Sequence, residues 1–279
     1  MMLARKRGVV YISRPIGQLE KWALGQTKSV KQYYLDWIER ANLLGAKAVH
    51  FTAESERSQA LELLPQLKSE VIPLGLSIPM SLTQPRRKMR QRWSLDRGVP
   101  TILYLSRLHP KKGLDLLLDA LAIVDDFPFK LLIAGEGDPV FKKALVDKVE
   151  RLELQARCQF IGFVQGSEKN LLLQGADIYA LTSHSENFGI AVLEAMASGT
   201  AVLVSKEVAL SEAVSEHKLG FVCDLEVNAI RRELIDALAD MDNTEELARA
   251  ARDYVEQHYQ WSNIAKRIVK LYKAMPLSN

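Results

Sequence analysis

Two carboxylates, two cations and one glycine carry most of the chemistry that this sequence can offer. Glu186 and Glu194 bracket the run Glu186-Asn187-Phe188-Gly189-Ile190-Ala191-Val192-Leu193-Glu194. Arg107 and Lys112 bracket a turn that contains Pro110-Lys111-Lys112-Gly113. Arginine offers a planar fork and lysine a point charge, so the two can grip one diphosphate. Each charge-assisted contact of that kind contributes roughly 1.5–3 kcal/mol. The carboxylates need a different use, because beside an anion they would be repelled. They make sense as acceptors for sugar hydroxyls. Gly189 allows a ligand close to the backbone. The free N–H groups of Phe188, Gly189 and Ile190 at a helix start suit a phosphate.

The surrounding residues place these groups on loops. The apolar run Ala176–Leu181 reads as a buried strand, and after Gly189 the spacing of Ile190, Leu193 and Ala197 turns helical. Gly199 caps that helix, and Ala201–Val204 is the next strand. The polar loop therefore sits at the carboxyl end of a strand, where parallel α/β sheets bind ligands. An earlier unit repeats the pattern: the unbroken apolar strand Pro100–Ser106, the loop with Arg107 and Lys112, then the helix Leu114–Ile123. Lys130–Ala134 opens into Gly135-Glu136-Gly137-Asp138, a lone G-x-G that serves equally as a structural turn or a ligand contact. Cys158–Val164 and Gly220–Cys223 complete the strands, and Glu245–Tyr259 and Trp261–Met275 are terminal helices. In the last of these, Ile264, Ile268, Leu271 and Tyr272 form one face.

The first hundred residues predict a smaller α/β region. Val9–Ile12 and Ala48–Thr52 read as strands, Glu54–Leu64 as a helix and Glu70–Gly75 as a strand running into a turn. Lys28–Leu44 is expected to be helical, with Val30, Tyr34, Trp37, Ile38 and Ala41 on its packed face. His50 reads as a packed core histidine rather than a catalytic one. Ser81–Arg97 is polar, basic and aperiodic, and reads as linker.

Length and composition fit two globular domains. No apolar run approaches the ~20 residues of a membrane helix, and Met1–Arg7 lacks the apolar stretch of a signal peptide. Cys158 and Cys223 have no metal or redox spacing, which points to a cytoplasmic protein with free thiols. Residues 1–100 hold 17 Lys+Arg against 8 Asp+Glu, whereas the remainder is net acidic. That asymmetry suggests a surface attracted to anionic partners. A solvated face with no partner is the plain alternative. Nucleic acid is not expected, since no binding motif accompanies the charge.

The spacing Glu186-x-Phe188-Gly189-x4-Glu194, with Leu103-Tyr104-Leu105-Ser106-Arg107-Leu108-His109-Pro110-Lys111-Lys112-Gly113, resembles glycosyltransferase family 4, whose members are retaining GT-B enzymes. The segment Glu20-Lys21-Trp22-Ala23-Leu24 is similar to another family stretch, although Ser13-Arg14-Pro15 stands where Ser-Pro-Arg is usual. Ile72-Pro73-Leu74-Gly75 is similar to the interdomain P-N-G segment, with Leu74 for Asn. The resemblance implies an α/β GT-B fold with a complete carboxyl-terminal Rossmann-like donor domain and a partial amino-terminal one. The expected divisions are 1–96, 97–259 and a helix over 260–279 that crosses back to the first domain. It implies that Arg107 and Lys112 hold the donor diphosphate, that Glu186 meets the sugar and that Glu194 meets the ribose. Gly135, Gly137, Phe163, Val164, Asn187, Phe188, Gly189 and Ile190 complete the expected donor site, with Phe163 and Val164 by the base. The resemblance also implies that the anionic partners of the basic first third are lipid head groups, with peripheral contact at the inner membrane surface.

The activity so implied is transfer of a hexosyl group from a UDP-sugar to a glycan or lipid-linked acceptor in polysaccharide synthesis, with no metal and no cofactor. A nucleotide-sugar-binding subunit with little turnover and a UDP-sugar epimerase are the alternatives. Against the family pattern the chain is expected to be shortened at its amino terminus, its exposed sheet edge covered by oligomerisation or a partner chain.

Overall fold

The computed structural model describes residues 2–20, 24 and 35–274. It divides into two units, Met1–Gly75 with Tyr259–Asn279, and Leu76–His258.

The first unit holds a three-stranded parallel sheet in the order β1 (Ile12–Ser13), β2 (Ala48–Phe51), β3 (Ser69–Val71). Its helices among the described residues include α1 (Met2–Lys6), α2 (Arg40–Leu44) and α3 (Glu54–Leu63), with Trp261–Lys273 from the end of the chain. Leu19, Leu43, Val49, Phe51, Ala60 and Leu64 form the core. Glu56 is buried beside them, and its carboxylate accepts the backbone N–H groups of Gly17 at 2.7 Å and Thr52 at 2.9 Å. A buried carboxylate is tolerable only with such partners.

Two expectations change here. Leu35–Glu39 is a π-helical turn leading into α2, and Trp37 and Ile38 are exposed rather than packed. A π turn adds a residue to each hydrogen-bonded ring, so the 3.6-residue phase that would have buried them slips. The rest of that expected helix, over 28–34, and Lys21, Trp22 and Ala23 lie outside the described residues. His50 is buried, with Nε2 2.7 Å from the Ile72 carbonyl oxygen. Burial lowers its pKa below the usual imidazole value, so the neutral ring donates to that carbonyl as a core residue. The last helix, Trp261–Lys273, buries Ile264 but leaves Tyr272 exposed. A Cβ on Gly75 would lie 2.5 Å from the Trp261 ring, so glycine there permits the close seat of that helix.

The second unit is a six-stranded parallel sheet in the order β6-β5-β4-β7-β8-β9. Its strands are β4 (Thr101–Leu105), β5 (Lys130–Ala134), β6 (Cys158–Gly162), β7 (Ile178–Leu181), β8 (Ala201–Ser205) and β9 (Gly220–Cys223). Every residue of β4, β7 and β8 is buried, as unbroken apolar runs require of strands covered on both faces. The helices are α4 (Pro85–Arg92), α5 (Leu114–Leu121), α6 (Pro139–Arg151), α7 (Gly166–Gly175), α8 (Ile190–Ala197), α9 (Ser211–Glu216), α10 (Val227–Ala239) and α11 (Met241–His258). From β4 the chain winds outward through β5 and β6, then returns to β7 on the other side of β4 and winds the opposite way. The strand order reverses between β4 and β7.

Residues 81–97 are not simply linker. α4 packs on α7 through Met89, which is fully buried, and a Cβ on Gly175 would come within 2.7 Å of the Met89 Cβ. One apolar side chain among basic ones leaves no periodicity to detect, yet Met89 and the salt bridges of Arg86 and Arg90 to Asp177 hold the helix in place.

Candidate functional site

Open α/β sheets bind ligands outside the carboxyl ends of their strands, at the point where the order reverses. Here that point is flanked by the β4 loop, which carries Arg107 and Lys112, and the β7 loop, which carries Glu186 to Gly189. Each loop is tied down by its neighbours.

The β4 loop lies along the β5 loop. Leu108 pairs with Gly137, and the Leu108 N–H donates to the Glu136 carbonyl at 2.9 Å. Side chains cannot fit in that contact. A Cβ on Gly135 would stand 1.9 Å from the Ser106 carbonyl oxygen, and one on Gly137 1.9 Å from that of Leu108. The G-x-G therefore has a structural reason of its own, which is to let two backbones touch. Two buried tyrosines support the loop from beneath: the Tyr104 hydroxyl donates to the Arg107 carbonyl at 3.2 Å, and that of Tyr179 to the Leu105 carbonyl at 3.1 Å. Burial raises the pKa of both phenols, so they remain donors.

The turn Pro110–Lys112 is then joined to the β7 loop. Its start is capped by the His109 imidazole, which accepts the Lys111 N–H at 3.0 Å. The Lys111 carbonyl accepts the His184 N–H at 2.8 Å and the Ser183 hydroxyl at 2.9 Å. Lys111 is half-buried. Gly113 has φ +65°, and a Cβ on it would overlap the Thr182 carbonyl oxygen at 1.8 Å. Beyond, Glu186 exchanges backbone bonds with the β8 loop: its N–H donates to Glu207 O and its carbonyl accepts the Ala209 N–H, each at 3.0 Å.

This stitching brings the Lys112 ammonium onto the Glu186 carboxylate as an ion pair, with the two side chains 13% and 20% exposed. The second signature carboxylate has a different partner: Glu194, in the second turn of α8, pairs with Lys169 of α7 at 2.7 Å. Each of the two glutamates thus carries its own ammonium, which removes the repulsion that two bare carboxylates would impose on a nearby phosphate. Lys169 was not foreseeable from the sequence, because nothing in its spacing links it to Glu194.

The other expected residues fall into three groups. Arg107 is exposed and, among the described residues, makes no ion pair. Asn187 is half-buried, Phe188 and Gly189 are buried and Ile190 is 42% exposed. Gly189 adopts φ +86° and Ile190 opens α8, so Ile190 sits at the mouth of the helix instead of on its packed face. Of the two residues expected by the base, Phe163 is 66% exposed whereas Val164 is buried at 8%. Cys158 and Cys223 have thiols pushed up to about 12 by burial, so neither offers a thiolate near neutral pH.

A groove of about 630 Å³ lies elsewhere, lined by Arg86, Arg87, Arg90 and Arg97 with Gln91, Ser94 and Leu95. Its inner arginines are committed to structure at the amino ends of β4 and β7. Arg86 pairs with Asp177 and Glu245, and Arg90 reaches Asp177 and the Val99 carbonyl. Much of the basic charge of the first hundred residues is concentrated here, with six basic side chains against one acidic over residues 85–97.

Comparison with known proteins identifies the family and the fold. Residues 85–254, more than half of the chain, match the family described as Glycosyl transferases group 1. An uncharacterized glycosyltransferase of Methanocaldococcus jannaschii is 35% identical over 174 residues, 62% of this chain and 44% of the relative. The phosphatidyl-myo-inositol mannosyltransferase of Mycobacterium tuberculosis is 34% identical over 184 residues, 63% of this chain and 47% of the relative. These matches span about half the length of the curated relatives. Among solved structures, Anabaena HepE in complex with UDP-glucose superposes with a TM-score of 0.84 at 21% identity, covering 98% of this chain and 75% of that one. The likeness shows the fold, which is GT-B. Among the described residues no helix is long and apolar enough to cross a membrane.

Proposed function

The chain belongs to the group 1 glycosyl transferases, and from that premise we propose that it moves a hexosyl group from a UDP-sugar to a glycan or lipid-linked acceptor with retention of configuration. The observation that carries the reading is the meeting of Lys112 and Glu186 at the carboxyl ends of β4 and β7, with Arg107 in the same β4 loop exposed and, among the described residues, in no ion pair. One cationic pair and one hydroxyl acceptor at a strand-order reversal are what a sugar diphosphate requires.

In this reading Arg107 and Lys112 bind the diphosphate and neutralise the charge that grows on it as the bond to the sugar breaks. The backbone at Asn187–Ile190 and the start of α8 add partial positive charge. Glu186 accepts from sugar hydroxyls and Glu194 from the ribose, while the exposed Phe163 ring offers a surface for the base. Gly135 and Gly137 hold the floor close to the phosphates. The bond from C1 to the leaving phosphate oxygen breaks on the face where the acceptor oxygen bonds to C1. The acceptor proton passes to the departing diphosphate. The work of charge neutralisation falls to side chains and helix backbone, and none is assigned to a metal or cofactor.

Calorimetric titration of the full chain with UDP, ADP and GDP tests the donor assignment. Saturable UDP binding is expected, weakened roughly 10-fold or more by Arg107→Ala. Turnover of a UDP-sugar with a suitable acceptor then separates the transferase from a binding-only subunit. Binding of no nucleotide at all would sink the reading.

A further inference from the structure

The ion pair between Lys112 and Glu186 joins two groups that the proposed reaction uses on different parts of the donor. We infer that they form an exchange latch, in which Lys112 leaves Glu186 for the diphosphate and thereby frees Glu186 to read the sugar. This inference rests on the reading of the site as a nucleotide-sugar site.

The physical argument is one of competition for a single cation. The Lys112 ammonium is satisfied by a carboxylate and its side chain is only 13% exposed. A diphosphate carries more negative charge than a carboxylate and presents more oxygens, so it is the stronger partner for that ammonium. Glu186 has little room to follow. Its backbone is fixed on both sides by the bonds to Glu207 and Ala209. Once the ammonium turns away, the half-buried carboxylate is left needing donors, and sugar hydroxyls are donors.

Two consequences follow from this geometry. Free sugar meets an occupied carboxylate, so it binds poorly without a nucleotide. Free nucleotide takes the ammonium but leaves the Glu186 carboxylate without a donor, so UDP alone binds more weakly than the phosphate contacts would allow, and the sugar of a UDP-sugar restores the difference. The latch makes sugar recognition conditional on the diphosphate. Glu194 is not part of it, because Lys169, not Lys112, holds that carboxylate.

The test is a double-variant cycle read by calorimetry with UDP and UDP-glucose as probes on the full chain. Glu186→Gln keeps the shape and removes the charge. It is expected to tighten UDP binding roughly 3- to 10-fold and to lower the affinity ratio of UDP-glucose to UDP. In a Lys112→Met background the same change is expected to give no gain for UDP. A gain that persists without Lys112 marks through-space repulsion and overturns the latch, as does a Glu186→Gln variant that binds UDP no better than wild type. Failure of the wild type to bind any nucleotide overturns the latch together with the donor-site reading. Binding by the wild type without the cycle's signature overturns the latch alone.

Discussion

The two edges of the six-stranded sheet both carry cation–carboxylate pairs, and they use them differently. At the amino edge, Asp177 is 4% exposed in its side chain, accepts the Thr101 N–H at 2.7 Å and faces Arg86 and Arg90. That cluster fixes α4 and closes the strand starts. At the carboxyl edge, Lys112–Glu186 and Lys169–Glu194 have side chains 13–31% exposed and stand on loops or in the first two turns of a helix. Here it is backbone contacts that hold the structure, and the charges are left available. A basic groove is therefore a poor guide to the site: the groove of about 630 Å³ belongs to the amino edge, where its inner charges are spent on structure. What separates the edges is whether an ion pair can be exchanged without loosening the fold.

The largest expected effect breaks the carboxyl edge through its backbone. Gly113→Ala puts a methyl group onto the Thr182 carbonyl at a positive φ. It should cost more than about 4 kcal/mol or prevent folding, as measured by denaturant unfolding. A fully stable variant would mean that the loops are not locked together.

Next come paired substitutions across the two edges. Asp177→Ala leaves the buried Thr101 N–H without its acceptor and takes one of two partners from each of Arg86 and Arg90, and should cost about 3 kcal/mol of stability. The UDP affinity of the folded variant should be unchanged. Lys112→Ala should lose less stability, about 1–2 kcal/mol for a partly buried pair, while weakening UDP roughly 10- to 150-fold. If both variants lose stability alike and bind alike, the distinction between the edges fails.

The smallest effect sharpens the comparison by pH. Burial, only partly opposed by Thr101 and the arginines, raises the Asp177 pKa above the usual carboxylate value. The folded chain then takes up this proton before the unfolded chain does, so acidification between the raised pKa and 3.8 adds stability from this group. Wild type should gain stability relative to Asp177→Asn as pH falls through that window. A loss over the same range would indicate that the ion pairs, and not burial, dominate Asp177.

Much of the second unit was legible because its strands are unbroken apolar runs that end in polar loops, and Arg107, Lys112, Glu186 and Glu194 could be singled out by spacing. α4 was not, since a helix held by one methionine and long-range salt bridges has no repeating pattern. Trp37 and Ile38 were misplaced because a π turn changes the phase that periodicity assumes. The G-x-G was recognised, but its reason, the contact with Ser106 and Leu108, lies in a different loop.

The sequence by itself determined the kinds of group at the site and the strand ends that present them, because local periodicity and turn chemistry act over a few residues. Only the tertiary structure decided the partners: Lys112 with Glu186 across 74 residues, Lys169 with Glu194 across 25, and Asp177 with Thr101 across 76. Those pairings depend on the order in which parallel strands stack, and parallel neighbours are joined by long crossovers that leave no short-range trace.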